Sequence, residues 1–234
     1  MGFFLDPYYI LFMAPAFILM MVVQWYVNSA YQKWSKVPAL SHLSGAQAAQ
    51  RLINTGSLYD VRVEGVSGKL TDHYDPRDKV LYLSQGVYQG QSVAALAVAA
   101  HELGHAMQDQ EGYFPLRLRA ALVPAVNVGS YLGWILIILG LVIGLTQLAW
   151  LGVLVFAGGA LFALATLPVE LNASARAKRL LVETGLIRGP DEQRGVNHVL
   201  NAAALTYVAA LVTAILQLLY YVMLVMGMGG RRRR

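Results

Sequence analysis

The fold is decided by residues 93–112, VAALAVAAHELGHAMQDQEG, an apolar run that contains two histidines and a glutamate. Such a run could be a membrane helix or a helix buried in a protein core. A helix that crosses a bilayer needs about 20 mostly apolar residues, whereas only residues 93–100 precede His101. We therefore expect a buried helix of an extramembrane unit, with Ser92 as its N-cap.

The composition is typical of a membrane protein. Hydrophobic residues make up 57% and charged residues 13% of the 234 residues, against about 45–50% and 25% in soluble domains. The sequence therefore predicts a mainly α-helical membrane protein, with about four transmembrane helices and a small α+β unit at the membrane surface. The four apolar stretches that are long enough to span are residues 7–27, 123–145, 149–168 and 203–226.

The predicted spans divide the chain into five segments. We interpret the first as a retained anchor, because no small-residue cleavage pattern follows it. In chain order, the segments are an N-terminal transmembrane anchor (1–27), an extramembrane part that contains the histidine helix (28–122), a transmembrane hairpin (123–168), a second extramembrane segment (169–202), and a C-terminal transmembrane helix with a basic tail (203–234).

A short polar break, Thr146-Gln147, separates the second and third spans and allows only a tight turn between them. Gly158, Gly159 and Ala160 lie in the third span. Small residues let membrane helices approach closely. We therefore expect close helix packing at these three positions.

If all four stretches span the membrane, both extramembrane segments lie on the same side. Basic residues that flank spans favour the cytoplasm, and seven of them flank the spans on this side: Lys33, Lys36, Arg117, Arg119, Arg176, Lys178 and Arg179. The four arginines at 231–234 argue for the opposite orientation. Either this tail is atypical or an addition to the native chain, or the last stretch does not fully cross.

The extramembrane region is predicted to contain one more helix and two or three short strands. The helix covers 43–56, with Ser44 as N-cap and Gly56 as the stop. The candidate strands are YDVRVEGV (59–66), GKLTDHY (68–74) and KVLYLS (79–84). Extended peptides often bind by adding to a sheet edge, and we expect residues 79–84 to provide that edge beside the histidine helix.

The HELGH motif predicts a zinc site. Residues four apart on a helix lie on one face, so His101 and His105 can bind the same metal ion. Glu102 is adjacent and can take a proton from a water that the metal activates, as in other H-E-x-x-H sites. The chain has no cysteine, so a thiolate site is excluded.

A catalytic zinc site typically has a third protein ligand. Glu170 follows directly after the third span, and the hairpin would return it to the side of the histidine helix. Pro168 suits either the first turn of a new helix or a kink. On position alone, Glu170 could equally pair with Arg176 or Lys178 at the membrane interface.

Several motifs together resemble the bacterial membrane-bound neutral zinc metallopeptidases of the YugP-like family. They are SGAQAAQRLI, TDHYDPRDKVLYLS, VAAHELGHAMQ, PVELNASARA and VLNAAALTYVAA, in the same order over most of residues 40–215. The resemblance implies a zinc metallopeptidase unit of the HExxH gluzincin type, with Glu170 as third ligand of one Zn²⁺ per chain. It also implies a multi-pass protein of the bacterial cell membrane, with its catalytic side in the cytoplasm.

Two positions depart from the family pattern. Related proteases place an aspartate four residues after the ligand glutamate to orient the first histidine, whereas this chain has Ser174. The position of Asn172 is more often aspartate in the YugP-like pattern. Both residues are therefore candidates for contacts that orient the zinc ligands.

Peptide hydrolysis also needs a donor to the oxygen that becomes negatively charged. The available groups are His198, His73, Tyr74, Tyr207 and Arg176. His198 has the plainer interpretation of an interfacial histidine. His73 and Tyr74 belong to DHYDP, which either borders the substrate cleft or is only a turn.

The leading hypothesis is a membrane-embedded, zinc-dependent endopeptidase that acts on membrane-associated polypeptides, with the lipid bilayer as its other partner. The main alternative is a non-catalytic zinc-binding membrane scaffold. A metal transporter is disfavoured, because the four stretches contain almost no ionisable side chains. Nucleic acid is not an expected partner. The net charge is +5, but without the four terminal arginines the excess of positive charge is only one, so no broad basic surface is expected. The sequence does not predict the oligomeric state.

Overall fold

The computed structural model describes residues 7–231, with side chains up to residue 227. It is 76% helical, and its described part contains a small three-stranded sheet. This confirms a mainly α-helical membrane protein with a small α+β unit. The elements are α1 (Pro7–Trp34), α2 (Gly45–Thr55), β1 (Arg62–Val66), β2 (His73–Asp75), β3 (Val80–Ser84), α3 (Gln85–Tyr88), α4 (Val93–Gln110), α5 (Phe114–Val142), α6 (Thr146–Glu183) and α7 (Gly189–Arg231).

Four helices of the described chain, α1, α5, α6 and α7, are long and apolar enough to cross a membrane. Their most apolar windows have mean hydropathies between 2.0 and 2.3. The predicted number of helices that are able to span a membrane is thereby confirmed. The predicted basic tail, apart from the backbone of Arg231, lies outside the described residues.

The chain divides into two compact units. The first consists of the described parts of Met1–Val23, Leu118–Leu167 and Thr206–Arg234. The second consists of Gln24–Arg117 and Pro168–Leu205, and it contains the sheet, α2, α3 and α4. The five-segment division made from the sequence stays a prediction.

In the first unit, α5 and α6 pack tightly across a turn of three residues, as predicted, but the turn is formed by residues 143–145, and Thr146 and Gln147 begin α6. A Cβ on Gly133 would lie 2.8 Å from the Phe156 nitrogen, and one on Gly152 would lie 2.6 Å from the Ile137 nitrogen. The expectation of close packing is wrong at Gly158, because nothing within 4 Å would meet a Cβ there, whereas a Cβ on Gly159 would lie 3.8 Å from Ser130 Oγ, an ordinary van der Waals contact. At about 100° per residue, Gly158 lies about 240° around the helix from Gly152.

The core of the second unit is built around α4, which is buried along most of its length. Ser92 begins α4, and its side chain accepts a hydrogen bond from the Ala95 nitrogen. Ser44 begins α2 through a reciprocal capping box with Gln47, and Gly56 ends that helix. The predicted start and stop signals are confirmed, since each cap satisfies backbone groups that a helix end leaves unpaired.

The sheet has the order β1-β3-β2, with β3 parallel to β1 and antiparallel to β2. The expectation that residues 79–84 form a free edge is therefore wrong, because both sides of β3 are already paired. Its residues are almost all buried, and burial on both faces is typical of a central strand. An added peptide strand cannot pair with β3.

Pro168 lies inside α6, which continues to Glu183 without a new helix start. Of the two interpretations of Pro168, the first turn of a separate helix is excluded. A proline inside a helix cannot donate to the carbonyl four residues earlier. The helix nevertheless runs on as one element, so Glu170 occupies a helical position rather than a loop.

Candidate metal centre

His101 and His105 project from the same face of α4. Their rings stand edge to face, with centroids 5.0 Å apart. Four residues between them make slightly more than one helical turn, which brings the two side chains together. The motif thus places two imidazoles side by side without help from tertiary structure.

A close contact between α4 and α6 brings the third residue to this pair. Gly104 lies against the Ala173 backbone, where a Cβ would be 2.7 Å from the carbonyl oxygen. Ala173 and Ala177 are both fully buried. Small residues on both helices therefore allow the two backbones to approach more closely than ordinary side chains permit.

Glu170 faces the two histidines and is only 2% exposed. Its Oε2 lies 3.3 Å from His101 Nε2 and 3.5 Å from His105 Nε2. The alternative that Glu170 pairs with Arg176 or Lys178 does not match the structure. Arg176 binds Glu111 and Asn172 instead, and Lys178 donates to Asn201.

The donor atoms fit a tetrahedral zinc site. Zinc binds nitrogen and oxygen ligands at about 2.0–2.1 Å, so neighbouring ligand atoms lie about 3.3–3.4 Å apart. The observed 3.3 and 3.5 Å agree with this spacing, and the ligand atoms of all three residues lie within 4.8 Å of one another. His101, His105 and Glu170 could therefore hold one zinc ion.

The electrostatics of the site favour positive charge. Burial disfavours the charged form of His105, but the hydrogen bond to Glu170 and the charges of Glu102 and Glu170 outweigh it and raise the pKa of the imidazole. The same carboxylates attract a divalent cation. The residues thus fit zinc in both spacing and charge.

Both histidines point Nε2 toward Glu170 and Nδ1 away from it. Ser174 Oγ lies 3.2 Å from His101 Nδ1, and Gln108 Oε1 lies 3.0 Å from His105 Nδ1. Ser174 therefore occupies the orienting position that the sequence suggested. Gln108 was missed. Its spacing of three residues from His105 puts it on the same helix face, but Asp109 and Gln110 follow it directly, and the sequence does not show which acceptors it meets on α6.

Asn172 contacts the histidine pair only through Gln108. Its Oδ1 accepts from Gln108 Nε2 at 2.9 Å and from Arg176 Nε at 2.7 Å. Arg176 in turn donates to both carboxylate oxygens of Glu111, at 2.6 and 2.7 Å. A continuous chain of hydrogen bonds thus runs from Glu111 to His105.

Glu102 is partly exposed and follows His101 directly. Across residues 7–227, its carboxylate forms no hydrogen bond or ion pair with another side chain or backbone group. A carboxylate without a protein partner beside a candidate metal centre is free to exchange a proton with water.

The remaining candidates make their contacts elsewhere. His198 Nδ1 accepts from Trp34 Nε1 at 2.9 Å. Exposed His73 lies 2.8 Å from the Thr71 carbonyl oxygen and stacks on Tyr82. The structure does not bring either histidine to the HELGH side chains, and their catalytic roles stay predictions.

Tyr74 is also engaged away from the histidine pair. Its hydroxyl donates to Asp109 Oδ2, which also accepts from Lys79 Nζ. Burial, the hydrogen bond to Asp109 and nearby carboxylates raise the pKa of Tyr74, so the hydroxyl keeps its proton. These contacts tie β2 to the last turn of α4.

Comparison with known proteins agrees with the geometry. Residues 9–226 match a family described as "Putative neutral zinc metallopeptidase". The chain is 48% identical over 201 residues to "Putative membrane protease YugP" of Bacillus subtilis (strain 168), which covers 86% of this chain and 89% of that protein. No solved structure matches. The expected resemblance is confirmed, and the chain belongs to this family of neutral zinc metallopeptidases.

Proposed function

We propose that the protein is a membrane-embedded, zinc-dependent endopeptidase that hydrolyses peptide bonds of membrane or membrane-proximal polypeptides. The observation that carries the proposal is the position of Glu170 Oε2, 3.3 and 3.5 Å from the Nε2 atoms of the two histidines. Family membership and the printed description of the relative support a protease.

In this proposal, His101, His105 and Glu170 would hold one zinc ion per chain, as in gluzincins. Such an ion would lower the pKa of a nearby water to about 7 and would polarise the substrate carbonyl. The carboxylate of Glu102 accepts a proton from the attacking water and returns it to the nitrogen of the departing amine. Glu102 makes no competing contact within residues 7–227, which supports this role.

The proposed substrates follow from where the third ligand lies. Glu170 comes two residues after the predicted span 149–168 on the continuous helix α6. A peptide bond near the bilayer surface could therefore reach the site. We place the protein in the bacterial cell membrane as a multi-pass protein, with its catalytic side in the cytoplasm, on the basis of the flanking basic residues.

The direct test compares wild type with Glu102→Gln, both purified with zinc and incubated with a membrane protein mixture whose cleavage is read by mass spectrometry. Glu102→Gln keeps the shape of the side chain and should keep zinc, but it should lose at least about 100-fold in rate without its base. Equal cleavage by both would refute the role of Glu102. A zinc-loaded wild type that cleaves nothing would support the alternative of a non-catalytic scaffold.

A further inference from the structure

The hydrogen bonds of Gln108 determine which ring nitrogen of His105 carries the proton. We propose that Gln108 is a positioning residue that fixes His105 as the tautomer protonated at Nδ1, so that the lone pair of Nε2 faces Glu170. The role of this tautomer in zinc binding rests on the proposed function. The tautomer itself is a property of the metal-free protein and can be measured separately.

The assignment starts at Arg176, whose guanidinium can only donate hydrogen bonds. Its Nε donates to the side chain of Asn172 at 2.7 Å. The Asn172 atom that faces Arg176 must therefore be the amide oxygen. The other two guanidinium nitrogens donate to Glu111, which holds the Arg176 side chain in this orientation.

The orientation of Asn172 then determines that of Gln108. The Asn172 oxygen and the Val169 carbonyl oxygen both lie within hydrogen-bond distance of the Gln108 amide, at 2.9 and 2.8 Å. Two acceptors require the NH₂ group of Gln108 on this side. A flipped amide would set an oxygen against two other oxygens, and Gln108 is fully buried, so water cannot relieve that conflict.

The amide oxygen of Gln108 must consequently face His105, whose Nδ1 lies 3.0 Å away. An amide oxygen only accepts, so Nδ1 carries the proton and, in neutral imidazole, Nε2 carries the lone pair. His101 differs, because its Nδ1 faces the hydroxyl of Ser174, which can donate or accept. Of the two histidines of the motif, only His105 therefore has a pure acceptor at its Nδ1.

Gln108 also connects the helices that carry the three proposed ligands. It extends from α4 to the carbonyl of Val169, directly before Glu170, and to Asn172, two residues after it. A histidine binds metal through a nitrogen that bears a lone pair, and loss of the outer partner typically costs 10–100-fold in metal affinity. Gln108 thus determines which nitrogen of His105 bears the lone pair, and it also holds in place the turn of α6 that carries Glu170.

The primary test is ¹⁵N NMR of histidine-labelled, zinc-free wild type, recorded in the alkaline range where the ¹⁵N shifts themselves show that the imidazole of His105 is neutral. The expected spectrum assigns the proton of His105 to Nδ1 with little of the other tautomer. A predominant Nε2-protonated form would overturn the proposal. This measurement needs no substitution, so the folding of a variant does not affect it.

Variants add a second readout. Gln108→Met keeps the length of the side chain but removes its hydrogen bonds; we expect mixed tautomers and about 10- to 100-fold weaker zinc binding in chelator competition. Gln110→Met, on the exposed side of the same helix, is the matched control and should change neither. Asn172→Asp keeps an acceptor oxygen and should keep the Nδ1-protonated form.

The outcomes separate the two proposals. An unchanged tautomer in folded Gln108→Met would overturn the role of Gln108 even if zinc binding is weakened. A wild type with the expected tautomer but without zinc binding would refute the proposed function and leave the assignment of the proton standing.

Discussion

Gly104 of α4 lies against Ala173 of α6 so closely that a Cβ on Gly104 would be 2.7 Å from the Ala173 carbonyl oxygen. Glu170 precedes Ala173 by three residues, and His101 and His105 lie on either side of Gly104 in the motif. The contact between these helices therefore sets the distance from the carboxylate to the imidazoles. The glycine of HELGH is needed for packing rather than for chemistry.

Gly104→Ala should separate α4 from α6 and weaken zinc binding. Overpacking of this kind typically costs about 1–3 kcal/mol, so we expect a lower free energy of unfolding together with reduced zinc affinity. Gly158→Ala is the control, because a Cβ there would meet nothing within 4 Å. Chelator competition and thermal unfolding measure the two effects. Wild-type zinc affinity in Gly104→Ala would disprove the dependence on this contact.

Ser174→Ala should weaken zinc binding by about tenfold, the lower end of the usual effect of losing an outer partner. The substitution removes the hydroxyl that lies 3.2 Å from His101 Nδ1. Ser174→Asp provides an acceptor at the same position and should restore or exceed wild-type affinity. Zinc titration of the three proteins decides the matter, and equal affinities would show that Ser174 does not orient His101.

The ion pair between Glu111 and Arg176 should give a pH-dependent contribution to stability. The hydrogen bonds from Arg176 hold the pKa of the Glu111 carboxyl below its ordinary value. The pair therefore stabilises the fold above the ordinary glutamate pKa of about 4.3, and this contribution is lost as the pH falls through the lowered value. Glu111 is half exposed, so less than about 1 kcal/mol is expected.

The measurement for this ion pair is the difference in unfolding free energy between wild type and Glu111→Gln as a function of pH. The difference should be present at neutral pH and vanish in acid. Glu183→Gln is the control, because its pair with Arg179 is 4.0 Å long and exposed. A difference that grows toward acidic pH would contradict the sign of the shift.

The proposed orientation in the membrane can be tested by labelling single introduced cysteines, because the chain has no cysteine of its own that would react. Tyr59, 76% exposed, lies in the second unit, and Ile143, 61% exposed, lies in the turn between α5 and α6. An impermeant maleimide should label Ile143→Cys in intact cells and Tyr59→Cys only after lysis. The reverse pattern would place the candidate site outside the cytoplasm.

The sequence predicted the parts of the molecule that local patterns control. The span-capable helices follow from length and hydropathy, and the caps at Ser44 and Ser92 follow from local hydrogen bonding. The pairing of His101 with His105 follows from helical geometry alone. Glu170 required the further observation that the hairpin returns the chain to the same side.

Features that depend on tertiary packing could not be predicted. The central position of β3 depends on which strands pair with it, and one strand does not encode that choice. Gln108 is distinguished from any other helical glutamine only by its acceptors on α6. Close packing occurs at Gly133 and Gly152 and not at Gly158, and this depends on which face of α6 meets α5.

The central claim is that Glu170 completes a zinc site with His101 and His105. The most direct measurement is the zinc content per chain of purified wild type, Glu102→Gln and Glu170→Ala. We predict one zinc per chain in wild type and in Glu102→Gln, and a large loss in Glu170→Ala, which removes a ligand. Unchanged zinc content in Glu170→Ala would contradict the account.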